Sequence, residues 1–270
     1  MYMASRAPQF DFGENWANFS ADALTPVRLA QARKDFATLT EGIPVARSHF
    51  LDIGFGQGLT LLAAATQGAI AVGCDINSKC AAVLNQNRRL FPDLRVEPRA
   101  VVGSILDPQT LVTLTSLAKA NKGYDIVHSW GVLHHTGDMG QSIKNAASLV
   151  APGGYLILAL YNRHWSSSAW LAIKWLYVKS PRWLQRIFVG LFYPIIYIAK
   201  WIVTLKDPKR QERGMDFYYN VVDWVGGYPY EYASEEEVIA LVNPCGFEIL
   251  KVNKAIVPTG CNEFVFRRKT

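Results

Sequence analysis

Phe50-Leu-Asp-Ile-Gly-Phe-Gly-Gln-Gly58 decides the fold. An apolar stretch at 49–53 carries Asp52 and passes at once into glycines 54, 56 and 58, where a helical pattern over 58–67 begins. A strand feeding a helix through a glycine-rich turn opens a parallel α/β unit, and glycine there lets a ligand approach backbone that a side chain would cover. Downstream, strand patterns at 70–74, 94–102, 124–129 and 155–161 alternate with helical ones at 78–91, 107–120 and 139–150. Asp107-Pro108 places an N-cap before a first-turn proline, and Pro152-Gly153-Gly154 closes the helix before the fifth strand. This alternation predicts a parallel sheet with helices on both faces. Farther on, Ser234-Glu-Glu-Glu237 is a capping box opening a helix that ends near Cys245-Gly246, followed by an antiparallel pair of strands at 247–255 and 263–268. Upstream, Thr25-Pro26 starts a helix over 27–39.

The nearest rival for the glycine loop is the dinucleotide fingerprint GxGxxG. From Gly54 the chain reads Gly-Phe-Gly-Gln-Gly-Leu, with Leu59 where that fingerprint needs Gly or Ala. The 270 residues, half of them hydrophobic, suit one α/β domain with an elaboration. Cys74, Cys80, Cys245 and Cys261 form no CxxC pair and no zinc spacing, which reads as thiols in a reducing compartment. Residues 1–20 hold no apolar core segment, so no secretory leader and a cytoplasmic location are expected. The net charge of +6 is uneven: residues 163–213 contain ten Lys and Arg against Asp207 and Glu212, leaving −2 on the rest of the chain. An anionic partner would meet that segment.

Two further stretches, Ser129-Trp-Gly-Val-Leu-His-His-Thr-Gly-Asp138 and Asn145-Ala-Ala-Ser-Leu-Val-Ala-Pro-Gly-Gly154, resemble class I S-adenosylmethionine-dependent methyltransferases of the ubiquinone/menaquinone-methylase type. The resemblance covers about residues 10–162. Phe10-Asp-Phe-Gly-Glu-Asn-Trp16, Asp223-Trp-Val-Gly-Gly-Tyr-Pro-Tyr-Glu231 and Gly260-Cys-Asn-Glu-Phe-Val-Phe266 look closest to a broad bacterial subgroup. It implies an α/β, Rossmann-like, seven-stranded, mostly parallel sheet with an antiparallel terminal hairpin and a helical insertion after strand five. It also implies a division into an N-terminal helical cap (1–48), cofactor-binding core (49–162), helical insertion (163–233) and C-terminal completion of the core (234–270). The cofactor implied is S-adenosyl-L-methionine. Its binding set would be Asp52, Gly54, Phe55, Gly56, Gly58, Asp75, Ile76, Ser104, Ile105 and Trp130. Asp52 would hold the amino end of the methionine moiety, and Asp75 both ribose hydroxyls, two charge-assisted bonds that suit a carboxylate. The alternative for Asp75 is a cap on the helix after Asn77. Ser104 or the backbone of Ile105 would bracket the adenine.

Catalytic candidates lie beyond strand four. His134 and His135 titrate in a range that suits a general base, with His135 preferred; alternatively the pair is structural. The stretch 223–231 reads as a rigid, turn-rich loop in which Asp223, Tyr228 and Glu231 bind the acceptor or take its proton, or else as a packed corner. Asp216, Tyr218, Tyr219, Tyr161 and Asn162 are further candidates, while Asn262-Glu263 reads as structural, bonding to the 223–231 loop. Adjacent histidines without a third ligand imply no metal.

The insertion carries the acceptor question. Its uncharged run, 187–199, is interrupted by Gly190 and Pro194 and falls short of the ~20 residues that span a bilayer. Three readings stand for 163–215: a lid over an apolar acceptor, a homodimer interface, or peripheral contact with the inner membrane face. The leading function is methylation, most simply of oxygen, on a small or lipid-like metabolite. Nucleic acid is not expected as a partner, because the basic residues sit among bulky apolar ones and no (Asp/Asn)-Pro-Pro-aromatic motif follows strand four. A nucleic-acid methyltransferase and a non-catalytic, cofactor-binding membrane protein are the alternatives.

Overall fold

The computed structural model describes residues 9–94, 96–118, 122–209 and 216–270. Seven strands form one sheet in the order β3-β2-β1-β4-β5-β7-β6. They are β1 (His49–Ile53), β2 (Ile70–Asp75), β3 (Arg99–Val102), β4 (Tyr124–Trp130), β5 (Val150–Tyr161), β6 (Phe247–Asn253) and β7 (Cys261–Arg268). All neighbours are parallel except β7, which runs antiparallel to β5 and β6. The strand order reverses between β1 and β4, the switch point outside whose carboxyl ends open α/β sheets bind ligands.

Alternation along each central strand divides the core in two. Leu51, Val127, Leu158 and Phe266 face α5 (Pro108–Leu117), α6 (Met139–Ser148) and α10 (Glu235–Val242). Phe50, Ile126, Ile157 and Val265 face α2 (Pro26–Leu39), α3 (Leu59–Thr66) and α4 (Ser78–Asn87). The caps read from the sequence form: Thr25 and Asp107 accept from first-turn amides, and the Ser234–Glu237 box closes reciprocally. A Leu62→Ala variant, cut into this core where exposure is 0 %, should lose about 2–5 kcal/mol of unfolding free energy in urea titration.

Several boundaries move. Strand three starts at Arg99 rather than 94, because Pro98 has no N–H to join the ladder. Strand five starts at Val150, so Pro152-Gly153-Gly154 bulge out of a strand, between the pairings Tyr124↔Val150 and Ile126↔Tyr155, instead of closing a helix. The helix after Asp107 ends at Leu117, and Ala120 lies outside the described residues. An unanticipated α1 (Phe12–Asp22) is capped by Asp11 and packs on α4.

The insertion forms α7 (Ser167–Lys179), α8 (Arg182–Thr204) and α9 (Phe217–Gly226), with a small core of its own around Tyr177, Val189, Phe217 and Val225. Residues 210–215 of it lie outside the described residues. Contrary to the expected interruption, α8 is one helix of 23 residues. Pro194 removes only the N–H that would reach residue 190, and Gly190 presents no side chain there. By length, and by a mean hydropathy of 1.8 over an 18-residue window, α8 is long and apolar enough to cross a membrane, while its uncharged run remains 187–199 between Arg186 and Lys200. The 223–231 stretch is also less of a loop than expected: Asp223 to Gly226 form the last turn of α9.

Candidate functional site

At the carboxyl edge of the parallel strands a cavity of about 1680 Å³ opens between β1, β2, β4 and the insertion. Ordinary small-ligand pockets occupy roughly 300–1,000 Å³, so this one has room for two ligands. Its floor is the glycine loop, where Gly54, Gly56 and Gly58 all have positive φ (73°, 52° and 80°). A Cβ on Gly54 would lie 2.3 Å from Val132, so the loop closes only as glycine.

Asp75, at the end of β2, organises the loop: its carboxylate accepts from Gly56 N (3.0 Å) and Asn77 N (2.8 Å). The capping of α4 falls to Asn77 itself. Burial raises the Asp75 pKa, and these two bonds oppose the rise. Asp52, 3 % exposed, pairs with His128 Nδ1 at 2.7 Å. The two residues are register partners on β1 and β4. Trp130 ends β4 with Nε1 donating to Glu263 at 2.8 Å. Phe55, Ile76, Ser104 and Ile105 complete this half of the lining, and Trp16 of α1 stands over Gly56. Gly58 is the exception in the expected cofactor set. It lies off the cavity wall as the left-handed start of α3, where a Cβ would collide with Leu84.

The acceptor half mixes expected and unexpected residues. His135 lines the cavity with Nδ1 against Pro229 O (2.5 Å). A carbonyl only accepts, so Nδ1 carries the hydrogen and Nε2 keeps a lone pair. Burial, helped by the Lys174 charge, pulls the His135 pKa down to about 3, so the ring is neutral at physiological pH. Asp223 also lines the cavity.

Three candidates are corrected. His134 is off the wall, 0 % exposed, with Nδ1 accepting from Tyr161 N at 3.2 Å. The Glu231 carboxylate accepts from Met139 N at 3.0 and 3.1 Å, where it complements the N-terminus of α6. Tyr228 presents its carbonyl to Phe10 N (2.9 Å), and neither it nor Glu231 lines the cavity. Asn262 accepts from Ala255 N, and Glu263 from Trp130 and Asn253. Of the further candidates, Tyr161 is on the wall and Asn162 is not; Asp216 caps α9 and pairs with Arg28 at 2.6 Å.

Sequence reasoning missed His128, Trp16, Trp224 and Lys174. His128 was legible as the strand-four residue that alternation sets beside Asp52. Lys174 shares a helical stripe with Ser167, Trp170 and Tyr177, which marks it as inward-facing.

The family model described as a methyltransferase domain matches residues 25–194. The chain belongs to this methyltransferase-domain family. Among curated relatives, a ubiquinone biosynthesis O-methyltransferase of Sinorhizobium medicae is 31% identical over 168 residues, 60% of this chain and 62% of that protein. A Coxiella burnetii protein of the same description is 28% identical over 157 residues, 58% of this chain and 61% of that protein. The chain therefore spans about three fifths of the length of these relatives. Among solved structures, the magnesium protoporphyrin IX methyltransferase of Synechocystis aligns with a TM-score of 0.57 at 16% identity, over 95% of this chain and 94% of that one. That likeness extends the shared methyltransferase fold over nearly the whole chain. The residues present fit the family's cofactor, S-adenosylmethionine: a glycine cradle, a carboxylate at each of the first two strand ends, and apolar walls for a flat base.

Proposed function

We propose that this chain transfers a methyl group from S-adenosylmethionine to a hydroxyl on an apolar, lipid-like acceptor that reaches the cavity from a membrane surface. The observation that carries this reading is the continuity of the cavity from the Gly54–Asp75 cradle to walls supplied by the insertion: Trp170, Trp224, Ile196 and Val203. When bound, the cofactor supplies a sulfonium methyl that a nucleophile displaces in line, leaving a neutral thioether. The protein's own task is then to bind, orient and exclude water. Asp75 would accept from the ribose hydroxyls, Asp52 from the methionine ammonium, and Ser104 or the Ile105 backbone would meet the adenine. His135 Nε2 and the Asp223 carboxylate are the cavity-lining acceptors available to a hydroxyl.

Oxygen as the methylated atom is supported by the curated relatives, which are O-methyltransferases. A membrane route is supported by α8. Trp183, Ile187, Leu191, Ile195, Ile198, Ile202 and Leu205 follow helical spacing, and each is at least 52 % exposed. The same helix lines the cavity with Ile196, Ala199 and Val203. Arg182, Arg186 and Lys206 lie exposed at its ends, where a basic flank meets anionic headgroups.

The test is transfer of label from methyl-labelled S-adenosylmethionine into separated lipid, polar-metabolite and RNA extracts of the host. Label in a lipid-soluble product with a new methyl ether is expected. Label confined to RNA would refute the proposal, and label in polar metabolites alone would refute its lipid half.

A further inference from the structure

Lys174 on α7 is 1 % exposed, a burial that lysine almost never reaches unless paired. Its ammonium donates to the Trp224 carbonyl in the last turn of α9. Aromatic faces surround it, with the centroids of Tyr230, Tyr161 and Trp224 at 4.8, 5.5 and 5.8 Å. The carboxylate that acts on this charge is Asp223, the residue before Trp224, which lines the cavity. Asp223 Oδ1 is buried and has no hydrogen-bond partner, and the ammonium, held on the carbonyl of the very next residue, is the positive charge that acts on it through space. Loss of water raises the Asp223 pKa and lowers that of Lys174, and each charge opposes the other's shift. The other groups facing the pair are His134 and His135 from the turn after β4, Tyr161 from β5, Tyr230, and Cys261 from β7.

We propose that Lys174 is a positioning residue: its buried ammonium keeps the Asp223 carboxylate ionised on the cavity wall, where that carboxylate accepts a hydrogen bond from the acceptor hydroxyl. Lys174 does not itself touch the acceptor. The neighbouring histidines cannot replace it, because burial holds both rings neutral. The same insertion that carries the apolar surface thus also supplies the charge that sets the polar end of the acceptor site. This role rests on reading the cavity as a methyl-transfer site, whereas the through-space coupling of Lys174 and Asp223 does not.

The test separates the two. Lys174→Gln keeps a donor for the Trp224 carbonyl but removes the charge, and Lys174→Arg restores the charge. With aspartate labelled at the carboxyl carbon, and Asp223→Asn to assign the signal, the NMR titration midpoint of Asp223 should rise by about one pH unit or more in Lys174→Gln. It should return towards wild type in Lys174→Arg. S-adenosylhomocysteine affinity, read by calorimetry, should stay within about twofold in both variants, because Lys174 is not on the cofactor wall. The acid limb of methyl transfer to the host lipid fraction should move up in Lys174→Gln with the NMR midpoint. An unmoved midpoint would overturn the proposal and make Lys174 a tether for Trp224. A midpoint that moves without the acid limb would remove Asp223 from acceptor recognition. Wild-type protein that binds S-adenosylhomocysteine yet labels no fraction would overturn the methyl-transfer reading and this role with it, while a moved midpoint would still establish the pair.

Discussion

An Asp75→Ala variant is expected to bind S-adenosylhomocysteine about 100-fold more weakly than wild type, or worse. Two charge-assisted hydrogen bonds to a ribose diol, at about 1.5–3 kcal/mol each, account for a loss of that size. The geometry adds a second cost. Asp75 also accepts from Gly56 N and Asn77 N, so the variant frees an amide in the middle of the glycine loop and one at the start of α4. Asp75→Asn retains an oxygen for one of those amides and should fall between the two. Calorimetric titration gives the affinities, and a melting curve shows whether the fold survives. An Asp75→Ala protein of unchanged affinity would place the adenosine elsewhere.

The second large effect concerns α8. Wild-type protein should pellet with vesicles containing about a third anionic lipid and remain in solution with zwitterionic ones. A Trp183→Ser, Trp201→Ser double variant should lose roughly 30-fold in partitioning, from about 1 kcal/mol for each half-buried ring. The binding should weaken as salt rises, because the basic flank is exposed and screened. The substitutions should leave unfolding free energy within about 0.5 kcal/mol, since both rings are more than half exposed (63 % and 52 %). Vesicle binding that is absent, together with a concentration-dependent dimer in sedimentation that the double variant abolishes, would make this stripe a contact between copies of the chain.

The sheet and the lining of the cavity around the glycine loop were legible because both depend on local signals. Alternating periods placed every strand, and the positive-φ glycines and the strand-end carboxylates are short-range features. The misplaced boundaries were those where one pattern fits two structures. Pro152-Gly153-Gly154 stops a helix equally well as it bulges a strand, and only the pairing across to Tyr124 and Ile126 decides. The acceptor half was less legible because its chemistry depends on contacts far apart in the chain. Glu231 looked like a proton acceptor beside Tyr228, yet Met139 N, 92 residues away, claims its carboxylate. Lys174 counted only as one of ten basic residues in the insertion, because the α9 carbonyl of Trp224 that receives it lies 50 residues away. Pro194 read as a break because a proline's local cost is visible in sequence, while the packing of α8 on α9 that offsets it is not.

The central claim is that the cavity over Gly54, Asp52 and Asp75 is built for S-adenosylmethionine rather than for a dinucleotide. The most direct measurement is calorimetric titration of the wild-type protein with S-adenosylhomocysteine and, separately, with NAD. One saturable site for S-adenosylhomocysteine, with no heat of binding from NAD, is the predicted result. Tight NAD binding without a response to S-adenosylhomocysteine would contradict it.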